Sequence, residues 1–533
     1  MLAAHRLACA RAWGPPRVSL RVAQWVSLFG AGLLAACAQV ATPADPAERA
    51  ADLHWLNTVS YGADQASLAR LQQIGRERYL AAQLDMPLAD PPALAAALAA
   101  LPDWQQDGAQ RIQAVRAERQ RIAALTDADE KQQARQALNR QGRELERATA
   151  ERHLLRALYS PAQLREQMTW FWLNHFNVYA GKGQVRWLLP EYEERAIRPH
   201  ALGKFRDLVM ATVTSPAMLV YLDNAQSAVN RINENYAREL MERHTLGVAG
   251  GPSGSRYSQQ DVQELARVLT GVGVNVRGEP PRLATQRAAW YRTDGAFEFN
   301  PNRHDFGAKT LLGQRIAPAG FAEVEQAVTM LCRDPATARF VSARLAAYFV
   351  SDHPPPALLD RMAATFTRSD GDIGAVLTTM FLAPEFDAVL RSPARKFKDP
   401  TVFVLSSLRL ADDGHMLGNL RPVMNWLNQL GQPLYGHVAP DGYPLAESAW
   451  SSSGQMMRRF EIARALGASP ARWFVGEDGR SAARREKPLA DQRLFHAWIE
   501  ATLGPATRAA LAQASSPAEW NAILLSSPEW MQR

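Results

Sequence analysis

Cysteine is scarce in this sequence, with three residues among 533. Cys9, Cys37 and Cys332 include no pair with the spacing of a zinc or redox motif. Cys9 lies upstream of the expected cleavage point described below, so no sensible disulfide pair remains. Cys332 follows an apolar helical run, which predicts a buried, unreactive thiol. The cysteine content therefore excludes a disulfide scaffold and a cysteine-ligated zinc site.

Diagnostic catalytic motifs are missing as well. The sequence has no His-Glu-x-x-His, no Glu-x-x-His and no Gly-x-Ser-x-Gly, which are signatures of zinc proteases, di-iron bundles and serine hydrolases. Gly271-Val-Gly273 lacks the third glycine of a dinucleotide-binding loop. Asp305-Phe-Gly307 matches a kinase motif, but the glycine-rich loop and the His-Arg-Asp loop are absent. The sequence therefore does not support a nucleotide-dependent enzyme.

Positive charge is concentrated only at the N-terminus. More than half of the formal net charge of +7 comes from the arginines at positions 6, 11, 17 and 21. Elsewhere basic residues alternate with acidic ones and lack the aromatic platforms of a nucleic-acid module, so no nucleic acid is expected as a partner.

The first 36 residues have the form of an export signal. The apolar run from Trp25 to Ala36 is too short to span a bilayer comfortably. Leu34-Ala-Ala-Cys37 resembles a bacterial lipobox, in which the cysteine is lipidated and becomes the mature N-terminus. An ordinary signal peptide and a chance alanine run are the alternatives. We expect residues 1–36 to be a lipoprotein signal peptide and residues 37–50 to be a tether.

A lipid on Cys37 would anchor the protein in a lipid bilayer. Several acyl chains on one cysteine anchor a protein stably. Ala38 follows the cysteine instead of aspartate, which by resemblance to sorting in Gram-negative bacteria favours the outer membrane. The expected protein is an exported outer-membrane lipoprotein that faces the periplasm.

Helical periodicity dominates the sequence after residue 51. Apolar residues recur at three- and four-residue spacing, with no strand–helix alternation. Residues 104–158 are densely charged and carry a turn signal at Thr126-Asp-Ala-Asp129, which predicts a projecting helical hairpin. Residues 271–317 are irregular or strand-like. We predict one mainly α domain over residues 51–533, a compact multi-helix body with this hairpin and a short strand-like segment.

The stretch from Asn233 to Gly247 is unusually rich in hydrogen-bonding side chains for a helix. Gly247 has the position of a C-terminal cap. At 100° per residue, a polar row carries Glu239 and a neighbouring half-apolar row carries His244. This arrangement indicates a buried or site-lining polar face.

Histidines, carboxylates and cations from separate segments form the candidate site. Imidazole and carboxylate groups suit zinc, iron or manganese and also serve as acids and bases. The cofactor is not identified by any spacing, and a divalent transition metal is the candidate. The expected metal ligands are His175, His200 and His304; the expected catalytic residues are Glu239, His244, Asp305 and Lys309; the expected substrate-binding residues are Arg198, Asn233 and Arg238.

Structural roles remain open for these residues. His175 lies among aromatic residues and fits a core histidine equally well. Arg238 has a glutamate four residues away on either side, which is the spacing of surface pairs that contribute about 0.3–0.5 kcal/mol. His244 is placed to cap the C-terminus of its helix.

Ordered motifs extend over essentially the whole mature chain. They are Phe171-Trp-Leu-Asn-His-Phe-Asn-Val178, Ile197-Arg-Pro-His-Ala-Leu-Gly203, Pro216-Ala-Met-Leu-Val-Tyr-Leu-Asp223, Asn233 to Gly247, Asp261 to Gly271, His304-Asp-Phe-Gly-Ala-Lys309, Pro335-Ala-Thr-Ala-Arg-Phe340, Phe349-Val-Ser-Asp-His-Pro-Pro355 and Pro440-Asp-Gly-Tyr-Pro444. These motifs resemble the bacterial domain-of-unknown-function family number 1800. The resemblance implies an exported, mostly helical protein, but it implies no reaction.

The resemblance also implies a suspected site and a partner. Members of the family are often encoded beside another exported family, which implies an envelope protein partner. Arg243 stands where the family usually has leucine, which indicates an exposed helix face. The segment from Asn57 to Gly62 lacks the family's arginine, which puts an arginine-dependent contact there in doubt. The positions that match the family's motifs are His175, Asn177, His200, Asp223, Asn233, Glu234, Arg238, Glu239, His244, His304, Asp305 and Lys309.

Two functions remain open from the sequence. The first is a periplasm-facing envelope enzyme that acts on a polar polymer through a His/carboxylate site, with or without a metal. The second is a non-enzymatic binding or assembly lipoprotein whose polar networks fix a helical core. Convergence of His175, Glu239, His244 and His304 would favour the enzyme, and their dispersal would favour the scaffold.

Overall fold

Helices form most of the structure, which is a computed structural model. It describes residues 45–102, 107–248, 256–393, 395–412, 414–468 and 495–533. Ala47–Arg533 form one compact unit. The described strands are few and short, so the prediction of a mainly α fold is confirmed.

The apolar runs of the N-terminal half form α-helices, which precede the strand-containing segment. They are α1 (Pro46–Val59), α2 (Gln65–Leu84), α3 (Pro92–Ala99), α4 (Gly108–Ala124), α5 (Ala128–Tyr159), α6 (Gln163–His175), α7 (Leu189–Glu191), α8 (Phe205–Val213), α9 (Pro216–Tyr221), α10 (Glu234–Glu239) and α11 (Gln259–Val268). Short 3-10 segments lie at Val185–Leu188 and Arg198–His200. Two π-helical turns, Tyr192–Ile197 and Leu240–Thr245, continue α7 and α10.

The remaining helices complete the body. They are α12 (Thr285–Ala288), α13 (Phe321–Arg333), α14 (Pro335–Phe349), α15 (Pro356–Arg368), α16 (Ile373–Phe381), α17 (Pro384–Leu390), α18 (Pro400–Asp412), α19 (Arg421–Gln429), α20 (Ser453–Ala468), α21 (Glu500–Thr502), α22 (Pro505–Ala512) and α23 (Pro517–Ser526). A 3-10 turn lies at Glu447–Ala449 and a π-helical turn at Phe495–Ile499. Many of these helices begin with proline, whose fixed φ suits the first helical position.

The irregular segment at 271–317 contains the described strands. They are β1 (Val272–Val274), β2 (Arg292–Asp294), β3 (Phe297–Phe299), β4 (Lys309–Leu311) and β5 (Gln314–Ile316). The first three form an antiparallel sheet in the order β1-β3-β2, in which Phe299 lies opposite Val272 and Arg292. β4 and β5 form a separate hairpin. The expected strand-like segment is therefore confirmed.

α4 and α5 form the charged hairpin expected at 104–158. Asp127 begins α5 as its N-cap, because its side chain accepts a hydrogen bond from the amide of Glu130 at 2.7 Å. The first half of α5 is largely exposed, whereas residues 148–158 are buried. The hairpin therefore projects only at its tip, and its base belongs to the core.

The start of α1 changes one expected boundary. α1 begins at Pro46, so the last five residues of the segment 37–50, expected as a tether, are helical. The signal peptide at 1–36, the lipidation residue Cys37 and the rest of the tether lie outside the described residues.

Contacts between distant segments close the core. Trp55 of α1 donates a hydrogen bond from Nε1 to the carbonyl oxygen of Phe381 at 3.0 Å, across 326 residues of sequence. Arg409 of α18 donates from Nε to the carbonyl oxygen of Gly62 at 3.0 Å. Among the described helices none is by itself both long and apolar enough to cross a bilayer; α16 and α17 satisfy that test only together, with a 57° bend between them.

Candidate functional site

The structure places His304 and Lys309 around a carboxylate that the sequence did not single out. His304 donates from Nδ1 to the carbonyl oxygen of Thr270 at 2.7 Å, and its Nε2 lies 3.0 Å from Oε1 of Glu323. Nζ of Lys309 lies 2.5 Å from Oε2 of the same carboxylate. The side chains of all three residues are inaccessible to solvent. We call His304, Lys309 and Glu323 the buried triad.

Glu323 also fixes the start of α13. Its Oε1 accepts hydrogen bonds from the amides of Ala319 at 2.8 Å and Gly320 at 3.0 Å. Burial alone would raise the pKa of Glu323, but the hydrogen bonds from His304, Lys309 and these amides outweigh it and hold the pKa below its usual range. The buried triad is therefore saturated with partners inside the fold, where a substrate or a metal ion has no access.

Asp305 anchors a loop beside the buried triad. Its carboxylate accepts hydrogen bonds from Nε of Arg267 at 2.8 Å and from the amide of Gly307 at 2.7 Å. Burial alone would raise the pKa of Asp305, but these hydrogen bonds hold it below its usual range. The expected catalytic acid or base is thus an ionised loop anchor.

Arg198 is occupied by protein groups. Its Nη2 lies 2.8 Å from Oε1 of Glu166, its Nε donates to both oxygens of that carboxylate at 3.2 Å, and its Nη1 donates to the carbonyl oxygen of Leu88 at 3.3 Å. Arg198 and Glu166 are both buried. The structure places Arg198 in a buried ion pair, and its expected substrate-binding role stays a prediction.

Asn233 and Arg238 make polar contacts at the surface of α10. Asn233 is the N-cap of α10, accepting from the amide of Asn235 at 2.9 Å. Arg238 donates to Gln259 at 2.8 Å and lies 3.5 Å from Glu234. These contacts are those of a cap and a surface pair, so neither side chain is held for a ligand.

His200 lies apart from the other histidines. It lines a cavity of about 420 Å³ together with Glu191, Asp207 and Phe297. Burial lowers the pKa of His200, and Asp207 opposes this shift. The described residues contain no group of three or more His, Cys, Asp or Glu side chains that could hold a metal ion. The expected ligand set of His175, His200 and His304 is therefore not brought together.

His175 of α6 and His244 of the π-helical turn after α10 do lie side by side. His175 donates from Nε2 to the backbone carbonyl of His244 at 3.0 Å, and the ring centroids are 6.1 Å apart. Burial lowers the pKa of His244 to about 3 and that of His175 well below its usual value, with the charge of Arg344 adding to the second shift. Both rings are neutral at pH 7. Nδ1 of His175 and both ring nitrogens of His244 are enclosed without a hydrogen-bond partner.

Glu239 is the last residue of α10, at its junction with the π-helical turn. Its carboxyl group makes no hydrogen bond, and Oε2 is enclosed. The nearest cation is Arg243, whose Nε lies 3.9 Å from Oε2. Burial raises the pKa of Glu239, Arg243 opposes this shift, and the carboxylates of Glu242 and Asp441 reinforce it. The surroundings of Glu239 thus favour its protonated form more than those of an exposed glutamate do.

Arg344 of α14 was missed by sequence reasoning. It forms no hydrogen bond and no ion pair with any described residue, and its Nε is enclosed. Burial lowers the pKa of Arg344 to about 10, Asp441 opposes this shift, and Arg243 adds to it. Arg344 is one of two arginines in an alanine-rich helix and has no local signal of its own, so only the packed structure distinguishes it from the surface residue Arg339.

A loop with residues 437–443 brings Asp441 to the same place. His437 lies 3.1 Å from Oδ1 of Asp441 through its Nε2. Asn177 holds the loop by donating to the carbonyl oxygens of His437 at 3.0 Å and Ala439 at 2.8 Å. Asp441 acts electrostatically on both Glu239 and Arg344. We call Glu239, Arg243, Arg344, His437 and Asp441 the Glu239 cluster.

Gly442 lets this loop approach α6, and its substitution gives a first testable prediction. Its φ is +72°, and a Cβ there would lie 2.0 Å from the backbone oxygen of Asn174. Gly442→Ala is expected to lower the free energy of unfolding by about 2–3 kcal/mol, because strain and overpacking add. Gly313→Ala is the control, since Gly313 has φ +75° and nothing within 4 Å; we expect about 1 kcal/mol. Equal losses in urea denaturation would contradict the tight approach.

The fold and the Glu239 cluster define the class of protein. It is a mainly helical protein whose Glu239 cluster contains two carboxyl groups, two guanidinium groups and the imidazole of His437, and whose core holds the neutral imidazoles of His175 and His244. Residues 54–532 match the model of a family described as Protein of unknown function (DUF1800), so the chain belongs to this family and the resemblance drawn from the motifs is confirmed. No curated protein and no solved structure matches the chain.

Proposed function

We propose that this protein is an envelope enzyme that acts on a polar polymer by acid–base chemistry, with Glu239 as the general acid. The observation that carries the proposal is the carboxyl group of Glu239, which is half-buried, has no hydrogen bond and has a raised pKa. Structural carboxylates of this fold, such as Glu166 and Glu323, have the opposite surroundings, because several donors hold each of them. A half-buried carboxyl group that accepts no hydrogen bond and has a raised pKa is typical of a catalytic group.

The reaction proposed is hydrolysis. Glu239 donates its proton to the leaving atom of the polymer as the bond to it breaks. Asp441, held by His437 at 3.1 Å, takes a proton from the water whose oxygen forms the new bond. Burial lowers the pKa of both His175 and His244, so these two core imidazoles add no positive charge at neutral pH. The positive charge of Arg344 beside His175 disfavours a metal ion there, so the proposed mechanism uses none.

The location of the enzyme is part of the same proposal. The lipobox-like Leu34-Ala-Ala-Cys37 supports a lipid anchor on Cys37 in the outer membrane, with the helical domain in the periplasm. A polymer of the cell envelope is the substrate that such an anchor makes available.

A binding or assembly protein is the second candidate function. The exposed, charged tip of the α4–α5 hairpin supports it, because a solvated helical hairpin offers a surface to an envelope protein partner. In that case the surroundings of Glu239 would have no consequence for activity, so the two candidates differ in the outcome of one experiment.

That experiment compares Glu239→Gln with Glu242→Gln. Purified protein is incubated with soluble peptidoglycan fragments and with capsular polysaccharide, and products are followed by mass spectrometry. We expect turnover by the parent and by Glu242→Gln, because Glu242 lies beside the cluster but pairs with Arg238 at 3.6 Å. Glu239→Gln is expected to lose about 100-fold or more of the rate, since glutamine has no proton to donate. Equal turnover by both variants would refute the proposal.

The stability of Glu239→Gln separates a lost proton from a lost fold. Burial raises the pKa of Glu239 in the folded protein above its unfolded value, so ionisation at neutral pH costs stability, and this cost disappears as the pH falls below the unfolded pKa. Glutamine removes the cost. We expect a higher midpoint of thermal unfolding than that of the parent at pH 7.5, and convergence near about pH 4. A lower midpoint at pH 7.5 would make Glu239 a structural residue.

A further inference from the structure

Arg344 differs from the other enclosed arginines of this fold in having no partner. Arg198 binds Glu166 and the carbonyl oxygen of Leu88, Arg156 binds Asp90 at 3.0 Å, and Arg409 donates to the carbonyl oxygen of Gly62. Among the described residues Arg344 has neither a carboxylate within ion-pair distance nor a carbonyl oxygen within hydrogen-bond distance. The side chain is half-buried, with Nε enclosed, so its outer donors are free to bind a ligand.

The orientation of the guanidinium group leaves its outer nitrogens available. Nε is enclosed, whereas the two Nη nitrogens are not among the enclosed atoms and make no hydrogen bond. Two Nη atoms in one plane form a fork that matches the two oxygens of a carboxylate. The available side of Arg344 is therefore the side that binds an oxyanion.

In the reactive state that the proposed function requires, with Glu239 protonated, the charges around Arg344 fall one negative charge short of balance. Arg344 and Arg243 are positive and Asp441 is negative, while burial favours the neutral forms of Glu239 and His175. Glu242 is balanced by Arg238 at 3.6 Å. A single negative charge on a ligand balances the cluster, whereas a doubly charged group would exceed it.

We propose that Arg344 binds a singly charged oxyanion, a carboxylate group carried by the polymer that Glu239 cleaves. This inference rests on the proposed function for the polymer, but the binding itself does not require turnover. It assigns the substrate class as an acidic polymer, and it makes Arg344 the residue that positions the polymer beside the acid.

The experiment measures binding of glucuronate, a sugar that carries one carboxylate, with glucose as the neutral control at matched ionic strength. Glucuronate is expected to raise the midpoint of thermal unfolding of the parent, as a ligand of the folded state does, and glucose is expected to leave it unchanged. Arg344→Met is expected to weaken glucuronate binding at least about tenfold. Arg339→Met on the same helix is the control, because Arg339 pairs with Asp360 at the surface, and it should bind as the parent does.

Three outcomes would overturn the assignment. Equal binding by Arg344→Met and the parent would remove Arg344 from the site. Tighter binding of inorganic phosphate or sulfate than of glucuronate would replace the carboxylate by another oxyanion. Loss of the folded state in Arg344→Met would make Arg344 structural, and Arg344→Lys, which keeps the charge but loses the fork, should fold and bind glucuronate more weakly than the parent.

Binding and turnover of Glu239→Gln distinguish a wrong carboxylate site from a wrong general acid. Glu239→Gln is expected to bind glucuronate as the parent does, since it keeps Arg344. Binding by this variant together with unchanged turnover would leave the carboxylate site standing and remove the acid. Absence of glucuronate binding by the parent, with turnover lost in Glu239→Gln, would leave the acid and remove the carboxylate.

Discussion

Glu323→Ala is expected to lower the free energy of unfolding by about 3–5 kcal/mol, because it leaves buried donors without an acceptor. The carboxylate accepts hydrogen bonds from the ring of His304, the ammonium group of Lys309 and the amides that precede α13, and the two donor side chains do not reach water. An ammonium group enclosed without its counter-ion is the costliest part of this loss. Urea denaturation and the midpoint of thermal unfolding both measure the effect.

Glu325→Ala provides the matched control on the same helix. Glu325 is exposed two residues further along α13, so its loss is expected to cost less than about 0.5 kcal/mol. Replacing Glu323 and Lys309 together, by alanine and methionine, should cost less than the sum of the two single changes, because the orphaned charge is removed as well. If Glu323→Ala were as stable as Glu325→Ala, the buried triad would have to be reconsidered as a functional group.

Arg198→Met is expected to cost a similar amount, about 3–5 kcal/mol, by stranding the carboxylate of Glu166. Glu166 is buried and receives three hydrogen bonds from Arg198, which a methionine of similar length cannot supply. The change should therefore destabilise the contact between α6 and the 3-10 turn at Arg198–His200. The midpoint of thermal unfolding is the direct measurement.

Arg195→Met tests whether the cost comes from burial. Arg195 also pairs with a carboxylate, Asp294 at 3.0 Å, but both side chains are mainly exposed. Its replacement is expected to cost less than about 1 kcal/mol. A stable Arg198→Met protein that fails to turn over polymer would instead restore the substrate-binding role that the sequence suggests for Arg198.

Local sequence signals, such as helix caps and turn residues, predict much of the fold. Asp127 opens α5 from the predicted turn, and Gly247, with φ +81°, follows the central helical stretch where a cap was expected. The π-helical turn at Leu240–Thr245 was not predictable, because no residue pattern distinguishes it from a regular turn. It matters for the site, because it sets the direction of His244 relative to Glu239.

The candidate site was predictable only in part, for a physical reason. Glu239 and His244 stand out because hydrogen-bonding side chains occupy two neighbouring rows of this helical stretch, and the structure buries His244 and half-buries Glu239. His304 and Lys309 are close together as expected, but the group that joins them is Glu323, whose position near the start of a helix makes it look like an ordinary cap. Arg344 could be recognised only in the packed structure, because its distinguishing feature is the lack of a partner among the described residues. Which side chains pair with each other depends on the packing of distant segments, and residue spacing in the sequence does not predict it.

The hydrogen bond between Trp55 and Phe381 has a consequence for biogenesis. A ribosome that adds about 5–20 residues per second needs roughly 16–65 seconds to make the 326 residues that separate them. Throughout that interval Trp55 packs against Tyr79 of α2 but lacks its contact with Phe381, so part of the apolar face of α1 stays uncovered. We therefore expect a holding chaperone to improve the yield of folded protein. Slow synthesis of the middle of the chain is expected to increase aggregation more than slow synthesis of its last helices.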